Sequence, residues 1–290
     1  MAIQAAERLF TDFPRQEIDY VLFCTQSPDY YLPTTACIIQ DRLKLPNNCG
    51  ALDFNHGCTG YIYGLGLAKG LIESNQAKNV LFLTAETYSK YINKEDHAVA
   101  PLFGDGASAT LVSGDDAPLE RQGIYGLEYG TDGAGYKNLI VPVGGMRQPY
   151  NRTEVNIEVD KYGNVRTNQN LFMNGSAIME FALDVVPDMV EKILKKSNLT
   201  RNDMDYFVFH QANRFMLKSM QKICKLSDRP YYNDITNYGN TVSSSIPIAL
   251  CDLLKEVSAQ KLQRVMLMGF GVGLSWAGCI VDLSKIKTTN

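Results

Sequence analysis

The sequence predicts an α/β protein with a buried, largely parallel sheet and helices on both faces. Short apolar runs typical of buried strands alternate along the chain with helical stretches. This alternation is typical of parallel strands joined by crossover helices. The same order of elements also occurs twice. With 290 residues, 45% of them hydrophobic, the chain is long enough for a large core shared by two domains or two halves of one body.

The first half contains three predicted strands and two predicted helices. The strands cover residues 18–24, 49–54 and 79–85, where Val, Leu and Phe form short runs bounded by polar or turn residues. The helices cover residues 34–45 and 59–74, between these strands. Residues 114–172 interrupt this order, because they are rich in Gly, Asn, Pro and charge. We interpret 114–172 as a region of loops and strands inserted over the first half.

The second half repeats this order after a long helix predicted over 173–197, which Pro187 kinks or divides. It contains strands at 205–209 and 264–270, helices at 213–225 and 243–257, and a segment near 231–236. The longest apolar run, residues 265–281, is interrupted by glycines and is shorter than the about 20 residues of a membrane helix. We therefore expect two buried strands joined by a glycine turn there, and no membrane association.

The two halves are predicted to be copies of one unit. Asp19 in the run IDYVLF aligns with Asp205 in MDYFVF, and residues 79–83 align with 264–268 at nearly the same offset. Between these anchors, residues 53–58 fall opposite residues 234–240. Three matches in order indicate an internal duplication. The predicted domains are residues 1–172 and 173–290.

Composition excludes several classes of function. The 28 basic and 31 acidic residues leave a net charge of −3, without the dense Lys/Arg stripe that a nucleic acid requires. The seven cysteines form no CxxC pair, so neither a disulfide framework nor a zinc site is expected. The N-terminus lacks the basic and apolar regions of a secretory signal. These observations favour a cytoplasmic protein without a metal site.

Cys58 is the strongest candidate for a catalytic residue. It lies in DFNHGCTG, where a predicted buried strand turns into a helix. The unpaired N–H groups and the dipole at a helix N-terminus favour the nucleophilic thiolate, and the flanking glycines permit close approach of a substrate. The alternative is a small buried core cysteine. His56 is expected to shape this turn.

His210 and Asn240 are the other candidates, because each follows a predicted strand in the second half. The ends of strands before helices are where α/β folds place functional groups. A hydrogen-bonded core histidine and a simple NYGN turn are the alternatives. The duplication places Asn240 opposite Cys58, so the three side chains are expected to converge between the halves. Glu86, after the strand at 79–85, is expected either to reach this cleft or to make a structural hydrogen bond.

Five motifs together resemble the β-ketoacyl-acyl-carrier-protein synthase III family of the thiolase-fold condensing enzymes. They are DFNHGCTGY at 53–61, FGDGA at 103–107, HQAN at 210–213, NYGNT at 237–241 and GFGVGLSW at 269–276. The resemblance extends from about residue 2 to 283. It implies a thiolase-like fold, in which two duplicated βαβ-rich halves form a layered α/β/α/β/α body. The family's catalytic Cys, His and Asn correspond to Cys58, His210 and Asn240.

The resemblance also implies a two-stage reaction. An acyl group moves from a thioester to Cys58, and a malonyl thioester then loses carbon dioxide and attacks it to give a β-ketoacyl thioester. The implied oxyanion hole and active-site wall comprise Gly271, Val272, Gly273 and Phe270, and the implied substrate-binding residues are Asn213, Leu32 and Phe103. The substrates are thioesters of coenzyme A or acyl carrier protein, so no metal or redox cofactor is expected. The pathway stays open between fatty acid, polyketide and surface-glycan biosynthesis.

Two further expectations follow from the resemblance. Members of the family carry some tens of residues ahead of the helix at which this sequence starts, including a central strand and coenzyme A contacts, so an apparently truncated N-terminus is expected. A homodimer is expected, with edge strands near 79–86 joining two sheets and Leu32 reaching the neighbouring acyl pocket. Three alternative functions remain: acyl transfer to an alcohol or amine, cysteine hydrolysis, and an inactive partner subunit.

Overall fold

The first of two main sheets contains the predicted strands of the first half. The structure is a computed structural model that describes residues 1–114 and 123–288. The sheet has the order β2-β1-β3-β4, and β4 alone is antiparallel to its neighbour. Its strands are β1 (Tyr20–Cys24), β2 (Gly50–Phe54), β3 (Asn79–Glu86) and β4 (Gly106–Ser113). Because β3 is paired on both sides, the expectation that residues 79–86 form the edge of a dimer is wrong.

The second main sheet repeats the four strands of the first and adds a fifth at one edge. Its order is β11-β10-β12-β13-β5, with β13 antiparallel to β12 just as β4 is antiparallel to β3. The strands are β5 (Ile124–Thr131), β10 (Tyr206–Phe209), β11 (Tyr231–Tyr232), β12 (Val265–Gly271) and β13 (Ser275–Val281). The predicted pair of buried strands within 265–281 is therefore confirmed.

The duplication extends to hydrogen bonds made by the aligned aspartates. Asp19 Oδ2 accepts from the N–H groups of Lys78 and Asn79, at 2.8 Å each. Asp205 Oδ2 accepts from the N–H groups of Gln263 and Arg264, also at 2.8 Å. In both halves the aspartate therefore links the start of one strand to the start of its neighbour in the sheet, β1 to β3 and β10 to β12.

The strand β5 changes the expected role of the inserted region. Residues 114–172 were predicted to lie over the first half, but β5 pairs with β13 at the edge of the second sheet. Pairing between residues so far apart in sequence leaves no local pattern by which it could have been predicted. The rest of the described insertion forms two small antiparallel pairs: β6 (Leu139–Ile140) with β9 (Phe172–Met173), and β7 (Ile157–Val159) with β8 (Val165–Thr167). Residues 115–122 of the predicted insertion lie outside the described residues.

Helices complete a five-layered α/β/α/β/α body, as predicted. They are α1 (Ala2–Leu9), α2 (Thr35–Arg42), α3 (Gly60–Glu73), α4 (Gly175–Lys196), α5 (Arg214–Ile223), α6 (Ile235–Tyr238) and α7 (Ser245–Glu256). The first sheet packs against α1 and α2 outside and against α3 and α7 inside, while α4 and α5 cover the far side of the second sheet. Pro187 lies within α4 without dividing it.

Candidate active site

Cys58 lies in the turn that joins β2 to α3, beside the C-terminal end of β12. Its side chain is buried, with 5% exposed. A Cβ atom at Gly271 would lie 2.7 Å from Cys58 Sγ, and one at Gly269 would lie 2.7 Å from the Cys58 carbonyl oxygen. Only glycine permits this approach, because real Cβ atoms essentially never come within 3.0 Å of another heavy atom. The glycine-rich strand end of the second half therefore forms a wall directly against the sulfur.

Burial raises the pKa of the Cys58 thiol to about 12, opposite in direction to the shift expected at a helix N-terminus. The nearby backbone N–H groups of Val272 and of Cys58 itself act to lower this pKa, and the Glu86 carboxylate acts to raise it further. Loss of hydration outweighs the helix terminus, because a thiolate shielded from water loses most of its solvation energy. The free thiol is thus the resting form.

His210 follows β10 and lies within the interior. Its Nδ1 lies 2.6 Å from the hydroxyl oxygen of Ser245, the first residue of α7. Among the described residues, the other hydrogen bond of the Ser245 hydroxyl is one that it accepts from the Gln211 N–H at 3.4 Å, so its own proton is assigned to Nδ1 and the ring proton to Nε2. Burial lowers the pKa of His210 to about 3. The imidazole is therefore neutral, and Nε2–H is its donor.

Asn240 is held in place by hydrogen bonds to both its backbone N–H and its backbone carbonyl. Its N–H donates to the Leu102 carbonyl, and its own carbonyl accepts from the Gly104 N–H. Its side-chain Oδ1 accepts from the Val242 N–H at 2.9 Å. Because Oδ1 is occupied, the NH₂ group is the part of the amide that remains to donate to a ligand.

The structure brings these three side chains to one cavity of about 560 Å³. Most of the predicted site residues line it: Cys58, Phe103, His210, Asn213, Asn240, Phe270 and Gly271. The Phe270 ring meets the His210 ring edge to face, with centroids 5.8 Å apart. Asn213 has a structural role as well, since its Oδ1 accepts from the Met216 N–H and caps α5.

Three predicted site residues are placed differently. Leu32 is 83% exposed and does not line the cavity, so this chain alone gives it no part in the site. Val272 and Gly273 also lie outside the lining, although the Val272 side chain packs over Gly57 in the turn that holds Cys58. Gly273 has a positive φ of 75°, which allows the chain to turn from β12 into β13.

Sequence reasoning missed several residues that complete the site. Ser245 orients His210, and the start of α4 supplies part of the cavity wall through Ser176, Met179 and Glu180. No local signal identifies them, because a serine at a helix start and an amphipathic helix face are common. Their roles depend on which elements pack together.

Glu86 makes structural hydrogen bonds at the seam between the halves. Its Oε1 accepts from the Ser243 hydroxyl at 2.7 Å, and its Oε2 accepts from the Gln26 N–H at 3.0 Å. The residue is fully buried and does not line the cavity. Of the two expectations for Glu86, the structure favours the structural hydrogen bond. Burial raises its pKa from 4.5 to about 8.

We predict that Glu86 makes the protein less stable as the pH rises from about 5 to 8. Over this interval the folded state retains a proton that the unfolded state has lost, so the free energy of unfolding falls, on the order of 5 kcal/mol in total. Glu86→Gln stays neutral and should lose this dependence. Urea unfolding of both proteins across this interval measures the difference. Glu158→Gln, on exposed β7, is the control, and parallel pH profiles for wild type and Glu86→Gln would contradict the prediction.

In residues 1–114 and 123–288, no three His, Cys, Asp or Glu side chains form a group that could hold a metal ion. None of the helices in these same ranges has the length and apolar character needed to cross a membrane. All seven cysteines are free thiols.

Comparisons with known proteins agree with this architecture. Residues 52–133 match the family model for 3-oxoacyl-[acyl-carrier-protein] synthase III, and residues 194–283 match the model for its C-terminal part. A Clostridium perfringens protein named beta-ketoacyl-[acyl-carrier-protein] synthase III is 34% identical over 285 residues, covering 98% of this chain and 84% of that protein. One crystal structure of a 3-oxoacyl-(acyl-carrier-protein) synthase III has a TM-score of 0.91 at 46% identity, covering 97% of this chain and 83% of the other. A Burkholderia xenovorans 3-oxoacyl-(acyl-carrier protein) synthase has a TM-score of 0.87 at 34% identity, covering 100% and 80%.

The duplicated sheets, with a buried cysteine, histidine and asparagine where the halves meet, define a protein of the thiolase-like class. The family matches narrow this class further. The chain belongs to the 3-oxoacyl-[acyl-carrier-protein] synthase III family, whose members are also named β-ketoacyl synthases III and are acyltransferases.

Proposed function

We propose that the protein is a decarboxylative condensing enzyme that joins an acyl thioester to a malonyl thioester. The observation that carries this proposal is the single cavity shared by a buried thiol, a neutral imidazole and a side-chain amide. The two nitrogen groups are hydrogen-bond donors, and neither is a strong base. Donors are what an enolate needs, whereas a hydrolase needs a base to activate water.

In the first stage, Cys58 takes the acyl group from its thioester. The sulfur attacks the carbonyl carbon, the bond to the donor sulfur breaks, and the thiol proton ends on the departing thiol. Negative charge develops on the carbonyl oxygen, and we infer that the N–H groups of Cys58 and Val272 donate to it, because both residues adjoin the sulfur where the two halves meet. Forming the covalent intermediate divides one difficult reaction into two easier steps.

In the second stage, the malonyl thioester loses its carboxylate as carbon dioxide. The electron pair of the broken bond becomes an enolate, whose oxygen receives hydrogen bonds from His210 Nε2 and Asn240 Nδ2. The Phe270 ring supplies an apolar wall, which disfavours a charged carboxylate and favours its loss. The enolate carbon then attacks the acyl carbonyl on Cys58. The β-ketoacyl thioester leaves, and the sulfur recovers a proton from solvent.

The chemistry of the substrates makes a metal or redox cofactor unnecessary. A thioester is already activated toward attack, and decarboxylation generates the carbanion without a strong base. We infer that coenzyme A or acyl carrier protein carries the acyl and malonyl groups. The seven free thiols support a cytoplasmic location, where cysteines stay reduced.

Intact-mass measurement tests the proposed function. The protein is incubated with a panel of acyl-coenzyme A thioesters, then with malonyl thioester on acyl carrier protein. We expect a mass increase of one acyl group, which disappears as carbon dioxide and a β-ketoacyl thioester form. The proposal fails if no acyl-enzyme forms with any donor. Acylated enzyme that leaves malonyl thioester intact would instead indicate transfer to another acceptor.

We also propose that the protein is a homodimer in which the loop carrying Leu32 faces the partner. Tyr31 and Leu32 are 73% and 83% exposed, unusual values for such large apolar residues next to each other. On the same loop Tyr30 is also exposed, and the Tyr31 hydroxyl donates to the Gly144 carbonyl.

We predict that Leu32→Asp raises the dimer dissociation constant at least about tenfold, which light scattering at micromolar concentrations measures. Tyr162→Asp, on an exposed turn, is the control, and a wild-type monomer would contradict the proposal.

A further inference from the structure

Three buried or half-buried side chains form a continuous hydrogen-bonded chain behind Cys58. His56 Nδ1 lies 2.8 Å from Thr59 Oγ1, which lies 3.0 Å from Ser275 Oγ. Ser275 Oγ in turn donates to the Val272 carbonyl at 3.0 Å. The first two residues belong to the turn that holds Cys58, whereas Ser275 begins β13 of the second half. The chain therefore links the nucleophile turn to the glycine-rich turn across the seam.

The direction of every hydrogen bond in this chain follows from proton counting. A carbonyl oxygen only accepts, so the single Ser275 hydroxyl proton is used on Val272. The Thr59 hydroxyl must then donate to Ser275, which uses its only proton. The remaining contact requires His56 Nδ1 to carry a proton and donate to Thr59. His56 is thus assigned the Nδ1–H tautomer, opposite to the Nε2–H tautomer of His210.

The residue at the end of this hydrogen-bonded series, Val272, directly follows Gly271, whose backbone lies against the Cys58 side chain. Pinning the Val272 carbonyl limits rotation of this residue between two glycines with positive φ, Gly271 at 156° and Gly273 at 75°. A turn with such flexible neighbours needs an external contact to hold one geometry. The Val272 side chain also packs over Gly57, where an added Cβ would lie 2.3 Å from Val272 Cγ1. Both contacts hold Val272 against the nucleophile turn.

The His56 ring is itself held in place. It stacks on Tyr63 of α3 with centroids 4.1 Å apart, and Tyr63 packs against Tyr129 of β5 at 4.7 Å. Burial lowers the pKa of His56, so the ring is neutral and has one N–H to donate. Thr59 and Ser275 are both almost fully buried, with no more than 3% exposed, so water does not compete for their hydroxyls.

We propose that His56, Thr59 and Ser275 are positioning residues that hold the Val272 N–H toward the developing oxyanion during acylation of Cys58. This role rests on the proposed function, because it assigns the residues to the first of its two stages. It predicts that breaking the hydrogen bonds between His56, Thr59, Ser275 and Val272 slows acyl transfer to Cys58. Decarboxylation of the malonyl group depends on His210 and Asn240, so it should change little.

The tautomers provide a test that does not depend on activity. The protein has three histidines, and His97→Gln removes the exposed one. In ¹⁵N-histidine NMR spectra of this variant near neutral pH, we expect one Nδ1–H and one Nε2–H neutral imidazole. The His56→Gln variant should remove the Nδ1–H signal. Two Nε2–H rings would overturn the proposed direction of the chain.

Thr59 and Ser275 variants test the role in acylation. Thr59→Val keeps the shape but removes the hydroxyl, whereas Thr59→Ser keeps the hydroxyl. In single-turnover acylation followed by intact mass, we expect Thr59→Val and Ser275→Ala to be slower by about tenfold, less than the about 100- to 1,000-fold typical for loss of an oxyanion donor itself. Thr59→Ser should stay near the wild-type rate, and malonyl decarboxylation should change less than twofold in all three.

A control and two failure outcomes complete the design. Thr110→Val removes a half-buried hydroxyl that contacts Tyr61 away from the cavity, and this variant should acylate at the wild-type rate. If the wild type is acylated, and both Thr59→Val and Ser275→Ala are acylated as fast as the wild type, the positioning role is wrong while the proposed function stands. If the wild type is never acylated, the proposed function itself fails.

Discussion

A Cys58→Ala variant is expected to form no acyl-enzyme and to lose condensation by at least about 10⁴-fold, the largest effect predicted for any substitution in this protein. Among the described residues that line the cavity, Cys58 carries the only thiol, the group that we expect to hold the acyl group while the malonyl thioester reacts. Its side chain is buried against Gly271, so alanine fits without repacking. Intact mass after incubation with acyl thioester, together with product formation, measures both losses.

The control for this experiment is Cys37→Ala, because Cys37 is exposed on α2 and does not line the cavity. It should acylate and condense like the wild type. An acyl adduct that persists in Cys58→Ala would show that another residue carries the group. Condensation that continues without any adduct would indicate direct attack on the acyl thioester, contrary to the two-stage mechanism.

His210→Ala and Asn240→Ala are expected to block the second stage while leaving the first largely intact. Each variant removes one hydrogen-bond donor to the enolate, which typically costs about 100- to 1,000-fold in rate. The acyl-enzyme should therefore form and accumulate, and carbon dioxide release from the malonyl thioester should fall. Release of labelled carbon dioxide and the intact mass of the stalled protein measure the two stages separately.

Ser245→Ala tests the source of the His210 orientation. Without the Ser245 hydroxyl, Nδ1 loses its donor and the ring is no longer restricted to the Nε2–H tautomer. We expect a loss of about tenfold in decarboxylation, smaller than that of His210→Ala. His97 is exposed, so His97→Ala should behave as the wild type.

For His210→Ala, an acylation defect as large as the condensation defect would contradict a role confined to the enolate.

Much of the fold follows from local patterns in the sequence. The apolar runs around Val21, Leu81, Val208 and Leu267 are short, β-rich and bounded by polar residues, and all four lie within strands of the two sheets. The duplication was visible because the segments around Asp19 and Asp205 align in sequence, and in the structure both aspartates make equivalent hydrogen bonds. The strand β5 was misplaced, since its partner β13 lies more than a hundred residues away and no local signal connects them.

The candidate site shows the same division. Cys58 and His210 could be found because each lies between a predicted strand and a helix, and Asn240 because the duplication placed it opposite Cys58. The sign of the Cys58 pKa shift was predicted incorrectly, because burial depends on how both halves pack around the sulfur. Ser245 and the start of α4 had no signal in the sequence, since their roles arise only from contact.

The sequence by itself determined the elements, their repetition and the residue types of the site, because these depend on hydrophobic periodicity and chemistry encoded along the chain. Only the tertiary structure decided what these residues can do. Packing places Gly271 against the Cys58 side chain and the Ser245 hydroxyl against His210 Nδ1. It also joins His56 to Val272 through the hydroxyls of Thr59 and Ser275. Burial and hydrogen-bond direction arise between residues distant in sequence, so they are properties of the assembled halves.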